Sequence, residues 1–171
     1  MERPQIIDRF VASLDRLEVG WSRVSETGVA AALEPLVEGP AVGAPLSVLE
    51  ESALEALGIT LAPTPRQIAA ARTGVTAARF GIADYGSVLI EGGPDATEAA
   101  SLFPERHIAV LRTADVVPDM PAAFERLGPL LREEATTAIL ATGPSATADM
   151  GALVKGAHGP KAVHVVLVDA D

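Results

Sequence analysis

Residues 163–168 read Val-His-Val-Val-Leu-Val, and this stretch decides the fold. Six residues, β-branched for the most part and without a charge, are too few for a buried helix; they suit a strand covered on both faces. Three further runs share the texture: Ser-Val-Leu-Ile-Glu at 87–91, His-Ile-Ala-Val-Leu at 107–111 and Thr-Ala-Ile-Leu-Ala at 137–141. Helical spacing lies between and beside them, over 97–103, 121–132 and 147–154. Alternation of this kind predicts an α/β fold, an open and mainly parallel sheet with helices on both faces. The strands beginning near Ser87, His107, Thr137 and Val163 should be neighbours or near neighbours in it.

Upstream the signals are weaker. Ile6, Ile7, Phe10, Val11, Leu14 and Leu17 recur at three- and four-residue steps, which predicts a helix opened by Pro4. Residues 21–24 read as a short strand, and 29–33 as a short helix stopped by Pro35. The segment 38–46, broken by glycine and proline, reads as a loop. Ser47 and Glu50 have capping-box spacing for a helix that Gly58 should end. No repeat or linker divides the 171 residues. They read as one domain, with a helical, variable part over 1–60 and an α/β core over 73–168.

Composition narrows the chemistry. The chain has no cysteine, so it cannot by itself ligate an iron–sulfur cluster, a thiolate zinc or a redox disulfide. Thirteen basic against 23 acidic residues give a net charge of −10. That balance argues against binding nucleic acid or an anionic membrane surface, both of which need a basic face. The first residues, Met-Glu-Arg-Pro-Gln, run straight into the helix with no basic stretch before an apolar one, so a cytoplasmic protein without a leader is expected.

In parallel sheets, ligands bind outside the carboxyl ends of the strands. Three segments qualify. The first flanks residues 87–91: Gly81-Ile82-Ala83-Asp84-Tyr85-Gly86-Ser87 before it and Glu91-Gly92-Gly93-Pro94 after it. Glycine permits close backbone approach to a ligand, although the same composition also makes ordinary tight turns. The second is Gly143-Pro144-Ser145-Ala146-Thr147-Ala148-Asp149, expected to open a helix whose N–H groups, with the Ser145 and Thr147 hydroxyls, would cradle an anion or merely cap the helix. The third is a basic island. Lys155 and Lys161, the only lysines, lie beside His158 and His164, and residues 150–168 contain no acid, so the stretch counts +2 within a chain of −10. An anion held by Gly143, Ser145, Ala146, Thr147 and Lys155 or His158, with Asp149 orienting His158 or capping the loop, is the expectation; the alternative is an ordinary turn. Dinucleotide, Walker, nucleophile-elbow and HExxH signatures are missing from the sequence. A triad of Ser145, His158 and Asp149, or a metal on Asp149, His158 and His164, has no convincing spacing.

Residues 81–87, Pro104-Glu-Arg-His-Ile-Ala-Val110, 143–149 and His158-Gly-Pro160 leading into 164–168 resemble the LUD-domain family, and within it the lactate utilisation protein C group. The similarity runs through most of 73–168, with a departure at Tyr85, where the family carries a small residue. The resemblance implies a fold like that of glucosamine-6-phosphate isomerase, ribose-5-phosphate isomerase and the CoA transferases. It also implies a non-redox part in converting L-lactate to pyruvate, alongside iron–sulfur partners, lactate utilisation proteins A and B. A small carboxylate or phosphate would be the ligand, bound near Gly86, Ser87, Gly92 and Gly93 or at the basic island, with no cofactor or metal in this chain and a homodimer compatible with the role. The alternative is a stand-alone isomerase or acyl-transfer enzyme with Asp84 as acid or base.

Overall fold

Apolar side chains at 6, 7, 10 and 14 bury one stripe of the first helix, α1 (Arg3–Arg16), whose start is closed by reciprocal hydrogen bonding between Glu2 and Gln5. The computed structural model describes residues 2–93, 97–133, 137–149 and 151–170. After α1 come β1 (Gly20–Ser25), a 3-10 turn (Glu26–Gly28), α2 (Val29–Leu33), β2 (Ala41–Gly43), α3 (Glu51–Ala56), β3 (Ile59–Leu61) and α4 (Pro65–Ala70). The core then runs β4 (Thr73–Ala77), β5 (Phe80–Ile82), β6 (Ser87–Glu91), α5 (Thr97–Leu102), β7 (Arg106–Arg112), β8 (Val116–Val117) and α6 (Met120–Glu133). β9 (Ala138–Thr142), β10 (Ala146–Thr147), β11 (Val154–Lys155) and β12 (Ala162–Asp169) close the chain.

Six strands form one sheet in the order β1-β12-β7-β4-β2-β3, and every neighbouring pair is parallel. The expected parallel sheet is therefore present, with β7 and β4 at its centre and β12 beside them. Alternate residues of these strands feed two cores. Ala109, Leu111, Val165 and Leu167 meet α1 on one face; Ile108, Val110, Val166 and Val168 meet Val29, Leu33 and Leu54 of α2 and α3 on the other.

The runs at 87–91 and 137–141 are strands but belong elsewhere. They form a second sheet, β8-β5-β6-β9, in which β6 runs antiparallel to both β5 and β9. The chain enters the second sheet twice, from β4 into β5 through Ala78 and Arg79 and from β7 into β8 through residues 113–115, and returns to the first sheet after β6 and after β9. One face of the second sheet shares the α1 core through Val88, Ile90, Ile139 and Ala141, and the other packs Phe80, Ile82 and Leu89 against Ala123 and Leu130 of α6. The run at 87–91 is buried on both faces in this second sheet, whereas the run at 137–141 at its edge leaves Leu140 exposed.

Other expectations change with the structure. Ala41–Gly43 is a strand inside the expected 38–46 loop; its glycine is required because a Cβ at Gly43 would stand 2.7 Å from the Val75 carbonyl oxygen. The helix after Ser47 starts at Glu51 with Glu50 at its cap, without a side-chain cap bond, and Gly58 follows its end at φ +78. The described residues of 147–154 are not helical. β10 and β11 pair antiparallel there, with Ala146 opposite Lys155 and Thr147 opposite Val154, and Gly151 turns the chain between them at φ +85. Positive φ is incompatible with a right-handed helix, so the helix expected there is interrupted at this glycine. Among the described residues no helix is long and apolar enough to cross a membrane.

Candidate functional site

The carboxyl ends of β2, β4 and β7 lie side by side. From β2 the chain leads to β3 on one flank of the sheet, whereas from β4 it leads through the second sheet to β7 on the other flank. Adjacent parallel strands whose connections diverge leave a crevice between them. A cleft of about 590 Å³ occupies it. Residues 44–48 after β2 form one wall, Ala77, Ala78 and Arg79 at the end of β4 the floor, and Val110, Arg112 and Asp115 the far side. Glu91, Gly92 and Gly93, at the end of β6, and Thr97, at the start of α5, complete the lining.

Local sequence explains each position. Ala78 donates its N–H to the Val110 carbonyl at 2.8 Å, which keeps β4 and β7 in register to their ends and sets Arg79 and Arg112 at one rim. Gly92 donates to the Thr137 carbonyl at 2.7 Å, and a Cβ there would collide with the Thr137 hydroxyl and crowd the Glu98 carboxylate. A side chain at this position would have to displace Thr137 and Glu98. Leu46 anchors the opposite wall by burial in the core shared with α2 and α3.

The cleft carries opposite charges in close order. Arg112 is ion-paired with Glu26 of the 3-10 turn after β1. Arg79 faces Glu91 at 3.9 Å, and Asp115 faces Arg126 of α6 at 3.1 Å. The guanidiniums offer planar forks suited to carboxylate or phosphate oxygens, and the carboxylates accept hydrogen bonds from hydroxyl groups. Among the described residues no group of three or more histidines and acids could hold a metal ion.

The candidates read from the sequence fall in three places. Gly92 and Gly93 line the cleft; Pro94 lies outside the described residues. Asp84, Gly86 and Ser87 sit at the other end of β6, in the seam where α1 docks. Arg9 of α1 pairs with Asp84, the Ser13 hydroxyl donates to the Ala83 carbonyl at 2.7 Å, and a Cβ at Gly86, which has φ +65, would press on Ser13 and Leu17. The Ser87 hydroxyl meets that of Thr142 at 2.7 Å, and Tyr85 is exposed. Asp84 is thus separated from the cleft by the length of β6.

The basic island assembles at the amino edge of the parallel sheet. Gly143 turns at φ +69 against Leu17; the Ser145 N–H donates to the Pro160 carbonyl at 2.9 Å, and the Ser145 hydroxyl accepts the His158 N–H at 3.3 Å. Lys161 donates its N–H to the Glu105 carbonyl just before β7. Ser145, Ala146, Lys155 and His158 do come together, but on a hairpin instead of a helix start. The Ser145 N–H is spent on the chain itself, Lys155 is paired with Glu18, and the Asp149 N–H meets the Thr147 hydroxyl at 3.4 Å. Met150, within the island, lies outside the described residues.

The other two histidines are structural in their surroundings. His107 is fully buried in β7, with Nε2 at 2.9 Å from the Thr76 hydroxyl, and burial pushes its pKa down to about 4. His164 meets the Ser22 hydroxyl at 3.1 Å; partial burial, and secondly the Arg106 guanidinium, lower its pKa. Of the charged lining residues Arg79, Glu91, Arg112 and Asp115, only Glu91 was marked from the sequence; Arg79 was hidden because β4, Thr-Gly-Val-Thr-Ala, lacks the apolar texture that marks a strand. The one available signal was an arginine directly after the 107–111 run.

Residues 62–168 match the LUD domain. The chain is similar to the uncharacterized protein YkgG of Escherichia coli, 32% identical over 104 residues that cover 58% of this chain and 45% of that protein. It is also similar to lactate utilization protein C of Macrococcus caseolyticus, 31% identical over 104 residues (58% and 45%), and of Bacillus subtilis, 30% identical over 108 residues (58% and 43%). The match thus spans less than half the length of these relatives. In fold, the chain is similar to a DUF162 family protein from Deinococcus radiodurans solved at 1.70 Å, with a TM-score of 0.76 and 17% identity over 98% of this chain and 99% of that one. With a match through most of its sheet-forming residues, the chain belongs to the LUD domain family.

Proposed function

We propose that this chain is a non-redox component of a lactate-utilisation system that converts L-lactate to pyruvate, and that its carboxyl-edge cleft binds an anionic small molecule. The observation that carries the site is the gathering of Arg79 and Arg112 with Glu91 and Asp115 around one crevice at the switch point of the sheet, Arg79 facing Glu91 and Arg112 held by Glu26. Guanidinium forks take the acid group of a ligand, and neighbouring carboxylates take its hydroxyl. The system is suggested by relatives named lactate utilization protein C. A chain without cysteine has no thiolate with which to ligate an iron–sulfur cluster, so the electrons of lactate oxidation pass to partner proteins that carry such clusters, the expected proteins A and B. The LUD domain works in the cytoplasm, is compatible with a homodimer, and has no cofactor, metal, nucleic acid or membrane contact of its own.

The experiment is to replace the chromosomal gene with a tagged copy in its native host and grow the cells on L-lactate. The proposal expects iron–sulfur proteins in the purified complex, loss of growth on lactate when the chain is removed, and no rescue by an Arg79→Gln, Arg112→Gln double variant that folds normally. Unimpaired growth on lactate without the chain would overturn the role. Full rescue by the double variant would overturn the site.

A further inference from the structure

We infer that the occupant of this cleft is a nucleoside phosphate instead of a three-carbon acid; the inference rests on the reading of the cleft as an anion site. Size is the first argument. At roughly 30 Å³ for a water-sized group, 590 Å³ has room for about twenty such groups. Lactate, with about six non-hydrogen atoms, fills roughly a third of it. A nucleoside monophosphate, with somewhat more than twenty, matches it, and the cleft lies within the range of pockets that enclose ligands of that size.

Charge is the second argument. Each guanidinium at the rim already faces a carboxylate of the chain, Arg112 with Glu26 and Arg79 with Glu91. A monocarboxylate brings one charge and must compete with groups held permanently beside the arginines. A phosphate monoester brings nearly two charges and three acceptor oxygens, enough to engage both forks at once. The same carboxylates would repel a bare phosphate. A ligand tolerated next to Glu91 and Asp115 must therefore carry hydroxyl donors close to its phosphate, as ribose does; acid groups that accept ribose hydroxyls serve this purpose at other switch-point crevices. The third argument is the remaining lining. Pro45, Leu46 and Val48 on one side and Ala77 and Val110 on the other present an apolar slot for the flat face of a base.

The test is calorimetric titration of the full chain at low salt with adenosine monophosphate, adenosine, inorganic phosphate and L-lactate. The inference expects saturable binding of adenosine monophosphate and at least about tenfold weaker binding of each of the other three. Arg112→Gln and Arg79→Gln should each weaken the nucleotide about tenfold, with the melting temperature retained. Asp115→Asn should weaken the nucleotide while strengthening inorganic phosphate, from which it removes a repelling charge; loss of negative charge alone would strengthen both. Lactate binding as tightly as the nucleotide, and lost in Arg112→Gln, would overturn the inference and leave the anion site standing. Nucleotide binding unaffected by both arginine substitutions, or no binding of any anion, would overturn both.

Discussion

His107 supplies a stability switch whose size follows from its position. Its ring is buried at the centre of the parallel sheet, with Nε2 on the Thr76 hydroxyl, and burial holds its pKa at about 4 against an ordinary 6.5. Above pH 6.5 the ring is neutral in folded and unfolded chains alike, and the group has no effect on stability. Between 6.5 and about 4 the unfolded chain takes up a proton that the folded chain refuses, so stability falls as pH falls. Below 4 both forms are protonated and the loss from this group is complete. At about 1.36 kcal/mol per tenfold change in proton affinity, the whole loss is roughly 3 kcal/mol, a large part of the 5–15 kcal/mol typical of a domain. His107→Gln keeps an amide able to meet the Thr76 hydroxyl and removes the titration. Urea unfolding of both proteins from pH 7.5 to 4 measures the effect. The wild-type midpoint should fall by on the order of 1 M more than that of the variant. Parallel falls in the two proteins, or an NMR titration placing the His107 pKa near 6.5, would refute the reasoning.

Gly74→Ala should be strongly destabilising, because its Cβ would land on the carbonyl oxygen of Ala100 in α5 and that helix would have to retreat; the expected cost is about 1–3 kcal/mol or more, read as a lowered melting temperature. Lys155→Ala and Ser145→Ala act on an exposed hairpin at the amino edge of the sheet, so both the melting temperature and the affinity for adenosine monophosphate should stay unchanged; reduced anion affinity in either variant would move the binding site away from the cleft. The purified chain should be colourless and should not reduce a dye with L-lactate in the absence of partners, since it has no cysteine to ligate a cluster; visible absorption with lactate-dependent dye reduction would contradict this.

Read alone, the sequence determined the strands at 87–91, 107–111, 137–141 and 163–168, the amphipathic α1 and the parallel arrangement at the centre of the sheet. Runs of β-branched and aliphatic residues too short for a helix have few other ways to bury both faces. What it did not determine is which strands share a sheet. β6 looks like a parallel core strand because it too is covered on both sides, by α1 and by α6, and β9 shares its aliphatic texture although Leu140 is exposed; nothing local distinguishes either from a strand of the parallel sheet. The short strands β2 and β4 were hidden for a different reason: Gly43 and Gly74 are there to let the Val75 and Ala100 carbonyls approach, and glycine reads locally as a loop signal. The site followed the same division. Gly92 and Gly93 could be marked from composition, whereas the basic residues around Ser145 and Lys155 were adjacent in sequence and were carried to the edge of the sheet opposite the cleft. Arg79, Glu91 and the pair Arg112 and Asp115 come from three separate segments, and only the divergence of β2 and β4 at the carboxyl edge places them around one space. Such a convergence is a property of the sheet's connectivity, which no local pattern of residues encodes.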